Sequence, residues 1–452
     1  MTNSRNDELL RRSRAAVWHP CTQMKHHESQ PLVPIVRGEG AWLIDADGRR
    51  YLDSVSSWWV NLFGHNHPHI KAALRDQLDR LDHVMLAGLT HEPVIELSER
   101  LAAWTGLGHA FYGSDGASAT EIALKMSAHA WRNLGRPRKN GFVSLAHGYH
   151  GETVGALGVT DIPLFRSAYA PLLRPSTVVP SPDARLAAPG VDAQAHAEQA
   201  AQALESWLER HADETAALIV EPLVQCAAGM AMHHPHYLQR ARALCDRHQV
   251  HLIADEIATG FGRTGERFAC QVAGVRPDFI CLSKGLTGGT LPLSAVLTTD
   301  AVYAAFYDDD SARGFLHSHS YTGNPLACRA ALATLDLLDD AALARNRATA
   351  ERLSAAARVL DEHRRLAHAR RLGMIWAWDV QTEDPLFARR CHRAALDEGL
   401  LLRPIGRTLY FMPPYVIDDE AIEHLVGGAI RAVERALAQS PSGGGAAAEA
   451  LP

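Results

Sequence analysis

Five short apolar runs punctuate the middle of this chain: FVSLA (142–146), ALIVE (217–221), HLIAD (251–255), DFICLS (278–283) and LSAVLTT (293–299). Stretches of helical periodicity, such as EIALKMSAHAW and PHYLQRARALCDRH, precede and separate them. A strand that is apolar at nearly every position, rather than every second one, has to be covered on both faces. Alternating helices supply that cover through crossover connections, so the pattern predicts an α/β domain around a mainly parallel sheet. Ligands of such sheets collect at the carboxyl ends of the strands. The residues that follow each run are therefore where chemistry is sought.

The flanks have a different texture. GAWLIDADGRRYLD, in an N-terminal segment at 1–60, carries a turn at Asp47–Gly48 between apolar runs and predicts a pair of strands. The large domain is expected over 61–330. Beyond it LARNRATAERLSAAARVLDEHRRL reads as one long amphipathic helix, with RLGMIWAWDV and LLLRPIGRTLYFMPPY as strands. These predict a smaller C-terminal α+β domain at 331–440 that packs with the N-terminal segment, and a disordered tail at 441–452.

Composition narrows the class. With 452 residues, 47% apolar and 21% charged, the chain has material for a large core and resembles a globular enzyme. A formal charge of −6 gives no electrostatic reason to expect a nucleic-acid partner. The seven cysteines lack CxxC pairs, which argues against a disulfide framework or a structural zinc. The 25 histidines include no HExxH, so no metal site is expected. MTNSRNDELLRRSR is polar and lacks the apolar stretch of a signal peptide, and no run of about 18 apolar residues exists elsewhere. The expectation is a cytoplasmic protein with no membrane partner.

HLIAD delivers Asp255 to a strand end, followed by the glycine-rich EIATGFGRTG. A dinucleotide site would be one explanation, because Gly260, Gly262 and Gly265 spell GxGxxG, with Asp278 at nearly the usual spacing. The context is wrong. The ribose-binding acid should end the next strand, whereas Asp278 begins one, and ERFACQVAG does not open as a glycine-led helix. Lys284 offers a better partner, because it too follows an apolar run and precedes GLTGG. Lost solvation at the rim of a sheet lowers a lysine pKa from about 10.4 and favours the neutral amine that Schiff-base chemistry needs. If a pyridine cofactor takes that amine, its ring nitrogen must stay protonated, and a buried carboxylate such as Asp255 serves that end. Taken singly, both residues are also what strand-end charges reaching solvent would look like.

A phosphate would need a third element. SDGASATEIALK places Ser114, Gly116, Ala117 and Ser118 just before a helix with Ile122, Ala123, Met126 and Ala130 on one face. Free N–H groups and the dipole at such a helix start suit a dianion, and an ordinary serine-rich cap is the plainer alternative. Tyr149, in GYHG, is an aromatic available to stack on a ring, or a turn tyrosine.

Together SDGASATEIALK, GYHG, IADEIATGFGRTG, LSKGLTGG and YTGNPLAC, in this order, resemble the fold-type I pyridoxal-phosphate enzymes. Within them the likeness is to the class III aminotransferases, over nearly the whole chain from Trp18 to Tyr415. The resemblance implies pyridoxal 5'-phosphate as cofactor, with Lys284 bonded to its aldehyde and Asp255 paired with its ring nitrogen. It implies that Gly116 and Ala117 hold the phosphate and that Tyr149 stacks on the ring, completing a catalytic set of Lys284, Asp255 and Tyr149. Ser320 in HSYTGNP matches a hydroxyl residue that reaches the phosphate of the neighbouring subunit, so a homodimer with shared sites is implied.

WHPCTQM, SSWWVNLFGHNHP, LTGGTLPLSA and LRPIGRTLYFMPPY narrow the likeness to the branch that aminates 8-amino-7-oxononanoate with S-adenosylmethionine in biotin biosynthesis. Two departures from most class III relatives point the same way. Ala258 stands where they have glutamine, and EPLVQCAAGM has no acid after Glu221. The acceptor is a long acyl chain ending in a carboxylate. Arg403, after three leucines, could clamp that group through its planar fork, or simply leave a strand for solvent. Trp58 and Trp59 offer apolar walls, or a core aromatic pair, and Tyr410 matches a pocket residue of the family. Cys21 replaces the tyrosine of the family's HPYT and cannot donate or stack as tyrosine does. A related branch uses lysine as donor, so that donor stays open, as does an ω-amine or diamine transaminase.

Overall fold

The computed structural model of the chain describes residues 4–30 and 32–439; the tail expected at 441–452 lies outside them. The chain divides into two compact units. One consists of 69–347 with 371–374, and the other of the described residues up to 68, 348–370 and those from 375 onward.

The larger unit is built on seven strands: β1 His109–Gly113, β2 Gly141–Leu145, β3 Thr177–Val179, β4 Thr215–Val220, β5 His251–Asp255, β6 Phe279–Leu282 and β7 Ser294–Thr298. Their order across the sheet is β1-β7-β6-β5-β4-β2-β3. The run from β6 to β3 is parallel throughout, and β7 alone is reversed, antiparallel to both β6 and β1. The segment joining β6 to β7 holds only the short turn Lys284–Thr287 and no crossover helix, so the chain returns antiparallel. Every residue of β4, β5 and β6 is buried, as their unbroken apolar runs require. Helix α1, Gly116–Asn133, sets Ile122, Ala123, Met126 and Ala130 against Ile219, Ile253, Phe279 and Val296. Each large side chain buried there stabilises the helix on the sheet by roughly 1.5–3 kcal/mol. That packing fixes where the amino end of α1 stands relative to the strand ends.

The smaller unit holds two sheets. Strands Ile35–Glu39, Trp42–Asp45 and Arg50–Asp53 run antiparallel, and Leu400–Leu401 joins them parallel to Arg50–Asp53. The turn at Asp47–Gly48 is held by Asp45, whose Oδ1 accepts from the Asp47 and Arg49 amides at 3.1 and 2.8 Å. Gly48 takes φ 91°, where a side chain would be strained. The second sheet contains Leu366–Leu372, Ile375–Val380 and Thr408–Phe411. Here the long helix expected to run to Leu366 is interrupted. It spans Asp340–Ala356, a single turn follows at Arg358–Asp361, and Leu366 opens a strand. Trp376 and Trp378 are buried on the neighbouring strand, and their indole N–H groups need acceptors. Ser354 Oγ, in the last turn of the helix, accepts from Trp376 at 2.9 Å, and Asp361 Oδ1, in the turn beyond it, accepts from Trp378 at 2.8 Å. Among the described residues no helix is long and apolar enough to cross a membrane.

Candidate active site

Three adjacent parallel strands of the larger unit end in ionisable residues: Glu221 after β4, Asp255 at the end of β5 and Lys284 just past β6. Asp255 is 4% exposed. Its Oδ2 accepts from His150 Nδ1 at 2.8 Å and its Oδ1 from the Ile257 amide at 3.1 Å. His150 is itself pinned by its backbone, donating to Thr160 Oγ1 at 3.0 Å and accepting from Thr120 Oγ1 at 2.8 Å. Strand alternation sends the next acid elsewhere. Glu256 is fully buried and accepts from Thr259 Oγ1 and the amides of Ala269 and Cys270, a structural knot. The glycines at 260, 262 and 265 lie in turns after it, and no helix starts before Ala269.

Lys284 opens a short 3₁₀ turn, Lys284–Thr287, with φ 45°, an uncommon backbone for a residue with a side chain. Burial pushes its pKa down from the ordinary lysine value, while the charges of Cys226, Asp255 and Glu221 act in the opposite sense. Glu221 lies on the other side of Asp255 in the sheet. Burial, with the neighbouring Asp255 adding to it, raises its pKa to about 7 against the pull of His150. Its two oxygens accept from the Tyr149 amide at 2.9 Å and the Cys226 amide at 3.0 Å.

The loop after β2 carries Tyr149. Its hydroxyl donates to Glu152 Oε1 at 2.8 Å, and its ring centre is 5.4 Å from that of Phe165. Gly151 in the same loop has φ 113° and lies so close to α1 that an added Cβ would meet Ala117 Cβ at 2.6 Å. At the start of α1, Asp115 caps the helix by accepting from the Ser118 amide at 2.9 Å. Gly116 and Ala117 are the first residues inside the helix, where backbone N–H groups find no intrahelical acceptor. Ser114 Oγ meets His319 Nδ1 at 3.0 Å, and the next residue, Ser320, is exposed on the same loop.

These groups fit pyridoxal 5'-phosphate. The cofactor needs an amine for its aldehyde, a fixed carboxylate for its ring nitrogen and a site for a dianion. Lys284, Asp255 locked by His150, and the amino end of α1 are those three chemistries on one unit. Among the described residues no cluster of three or more histidine, cysteine, aspartate or glutamate side chains could hold a metal ion.

The smaller unit groups the other expected residues. Trp58 is 40% exposed, and the guanidinium of Arg403 stands 4.8 Å from its ring centre. Trp59 is buried and donates from Nε1 to Tyr410 Oη at 3.1 Å. Ser56, Ser57, Trp58 and Trp59 all have positive φ, at 52, 46, 73 and 71°. For residues with a Cβ this left-handed backbone costs roughly 1–2 kcal/mol each. A cavity of about 390 Å³ within this unit is lined by Cys21, Tyr51, Trp58, His392, Leu401 and Arg403, among others.

Glu221 and His150 are site residues beyond those expected from the sequence. A signal existed for the first, since ALIVE ends in an acid as HLIAD does. For His150 there was only its place beside Tyr149.

A profile of the family described as "Aminotransferase class-III" matches residues 23–433. The chain is 44% identical over 430 residues to the adenosylmethionine-8-amino-7-oxononanoate aminotransferase of Helicobacter pylori, covering 92% of this chain and 96% of that one. Against the enzyme of the same name from Geobacter sulfurreducens it is 41% identical, covering 92% and 95%. Among solved structures, the enzyme of that name from Methanocaldococcus jannaschii superposes with a TM-score of 0.88 at 34% identity, covering 95% and 99%. The omega transaminase of Pseudomonas jessenii in complex with PMP gives 0.90 at 25% identity, covering 96% and 99%.

Proposed function

The chain belongs to the class III aminotransferases, pyridoxal 5'-phosphate enzymes of fold-type I, and from that premise we propose that it converts 8-amino-7-oxononanoate to 7,8-diaminononanoate with S-adenosylmethionine as amino donor. The observation that carries the acceptor is the Arg403–Trp58 pair. A guanidinium stacked on a half-open indole offers a cation for a carboxylate beside an apolar wall for an alkyl chain. The names of the relatives at 34–44% identity support the same substrates.

The reaction exchanges the donor's amine for the acceptor's keto oxygen in two half-reactions. Bound at this site, the cofactor supplies an electron sink for the carbon that loses its proton. Lys284 anchors the aldehyde at rest. Burial favours its neutral amine, which suits it to move a proton at the donor's α-carbon. Asp255 would keep a proton on the ring nitrogen, and its hydrogen bond from His150 fixes the carboxylate's orientation. The amino end of α1, at Gly116 and Ala117, would hold the phosphate, and Tyr149 would cover the ring. Arg403 clamps the acceptor carboxylate, Trp58 and Trp59 wall its chain, and Tyr410 holds Trp59 in place. Ser320 completes the phosphate site of a neighbouring subunit in a homodimer. A cytoplasmic location, expected from the sequence, is part of the same proposal.

Cys21 lines the cavity beside Trp58 where the family's tyrosine stands, which keeps lysine as an alternative donor. Mass spectrometry of product from 8-amino-7-oxononanoate tests both points. Diaminononanoate formed with S-adenosylmethionine and not with lysine supports the reading. Product with lysine alone moves the donor, and no product with either donor contradicts the acceptor.

A further inference from the structure

Among the described residues, Ser56–Trp59 is the one stretch where consecutive non-glycine residues share positive φ. None of the four is of a type that tolerates this backbone easily. Something outside the turn must therefore hold it, and the side chains around it show what does.

Asp53, the last residue of its strand, is 0% exposed, and both of its oxygens are occupied. Oδ1 accepts from the Ser57 amide at 2.8 Å. Oδ2 accepts from Ser57 Oγ at 2.7 Å and from His65 Nε2 at 2.9 Å. His65 Nδ1 meets Asn61 Nδ2 at 3.2 Å, and Asn61 Oδ1 accepts from the Gly64 amide at 2.8 Å. The donors run in one direction, from Asn61 to His65 to Asp53, so a neutral imidazole satisfies every step. On the far side, Ser56 Oγ donates to the Met412 carbonyl at 2.7 Å. The strained turn is thus clamped at its first two residues. Its last two are Trp58, which carries Arg403, and Trp59, which carries Tyr410.

We propose that Asp53, backed by His65 and Asn61, is a positioning residue for the acceptor: it holds Ser56–Trp59 left-handed and so fixes Trp58 against Arg403. The inference rests on the reading of Arg403 and Trp58 as the acceptor's carboxylate and chain site. Asp53 touches no substrate, and its effect reaches the reaction only through the indole.

Asp53→Asn keeps the shape and turns one acceptor edge into a donor edge facing His65 Nε2. The near-UV circular dichroism of the tryptophans should change before any substrate is added. The KM for 8-amino-7-oxononanoate should rise about tenfold, equivalent to roughly 1.4 kcal/mol. The donor half-reaction, followed alone, should stay within about twofold of wild type. Glycine adopts φ near 46° without steric cost. Asp53→Asn combined with Ser57→Gly should therefore regain most of the ellipticity and most of the acceptor KM. Equal losses in both half-reactions, or a KM that glycine does not restore, would overturn the inference by leaving Asp53 a merely structural role. If Asp53→Asn does not fold, His65→Ala removes one of the two donors to Oδ2 and should show the same split at smaller amplitude; an unchanged acceptor KM in that variant overturns the inference. Should wild type use a different acceptor, the substrate assignment fails on its own, and the substrate-free ellipticity still decides whether Asp53 holds the turn.

Discussion

Lys284 is pulled two ways, since burial favours its neutral amine while Cys226, Asp255 and Glu221 favour the ammonium, and burial prevails. Replacing it with alanine would remove the proposed anchor and base together. Turnover of Lys284→Ala should fall by at least about a thousandfold, within the range that a positioned acid–base group supplies, and near-normal steady-state rates would refute its role. Arg403→Ala should raise the acceptor KM about ten- to a hundredfold, the worth of a hydrogen bond to a charged group, with the donor half-reaction nearly unchanged. Loss of the donor step instead would reassign that arginine. Glu221 makes a pH prediction. Its pKa is about 7 in the fold against the usual 4.5, so the folded chain keeps a proton that the unfolded chain releases between those values. Its contribution to stability is complete below the usual value and is lost as pH rises through about 7. In the cofactor-free protein, Glu221→Gln should flatten the pH dependence of unfolding between the usual 4.5 and about 7, by on the order of 3 kcal/mol. Parallel curves for variant and wild type would show that the group ionises normally. At this scale Lys284 and Asp255 were legible because each closes an apolar run. His150 was not, because its part depends on a 2.8 Å contact between residues far apart in the chain.

The elements were read well wherever one face or both had to be apolar. All five apolar runs are strands of the large sheet, and the Asp47–Gly48 turn joins two others. The direction of β7 was hidden, since burial looks alike in a parallel and an antiparallel strand and only the connection, which carries no crossover helix, decides. The long helix ends earlier than its periodicity indicates, and the segment beyond it gives Trp378 an acceptor at Asp361 that the periodicity does not record. SSWW could not be recognised as left-handed, because no glycine or asparagine marks it and the clamp at Asp53 is tertiary. One element-scale contact is open to a direct test. The amino end of α1 is braced by the loop at Gly151, where a Cβ would lie 2.6 Å from Ala117 Cβ. Gly151→Ala should cost roughly 1–3 kcal/mol through overpacking and shift the first turn of α1. Titration of the variant with pyridoxal 5'-phosphate should show weakened binding. An unchanged affinity with a lowered Tm would mean that the loop supports the fold and not the phosphate.

For the whole molecule, the decisive question is whether each site draws on a second copy of the chain. Ser320→Ala should weaken cofactor retention by about tenfold or more, as expected for a lost hydrogen bond to a dianion. In the proposed homodimer, mixing this variant with Lys284→Ala would give hybrids that can pair lysine from one copy with serine from the other. If Ser320 acts across subunits, the mixture gains activity at low cofactor that neither variant has alone. No gain would place the serine in its own subunit's site or in none. Family membership spans residues 23–433 and was legible because its motifs are short, ordered and spread along the chain. The donor was less legible, since Cys21 changes the one position that a tyrosine would have settled. The most direct test of the central claim is the visible spectrum of the purified protein, taken before and after adding S-adenosylmethionine without any keto acid. The account predicts a band from cofactor bound to Lys284 that disappears on addition as the pyridoxamine form accumulates. A protein with no such band after incubation with pyridoxal 5'-phosphate, or one whose band S-adenosylmethionine leaves untouched, would contradict it.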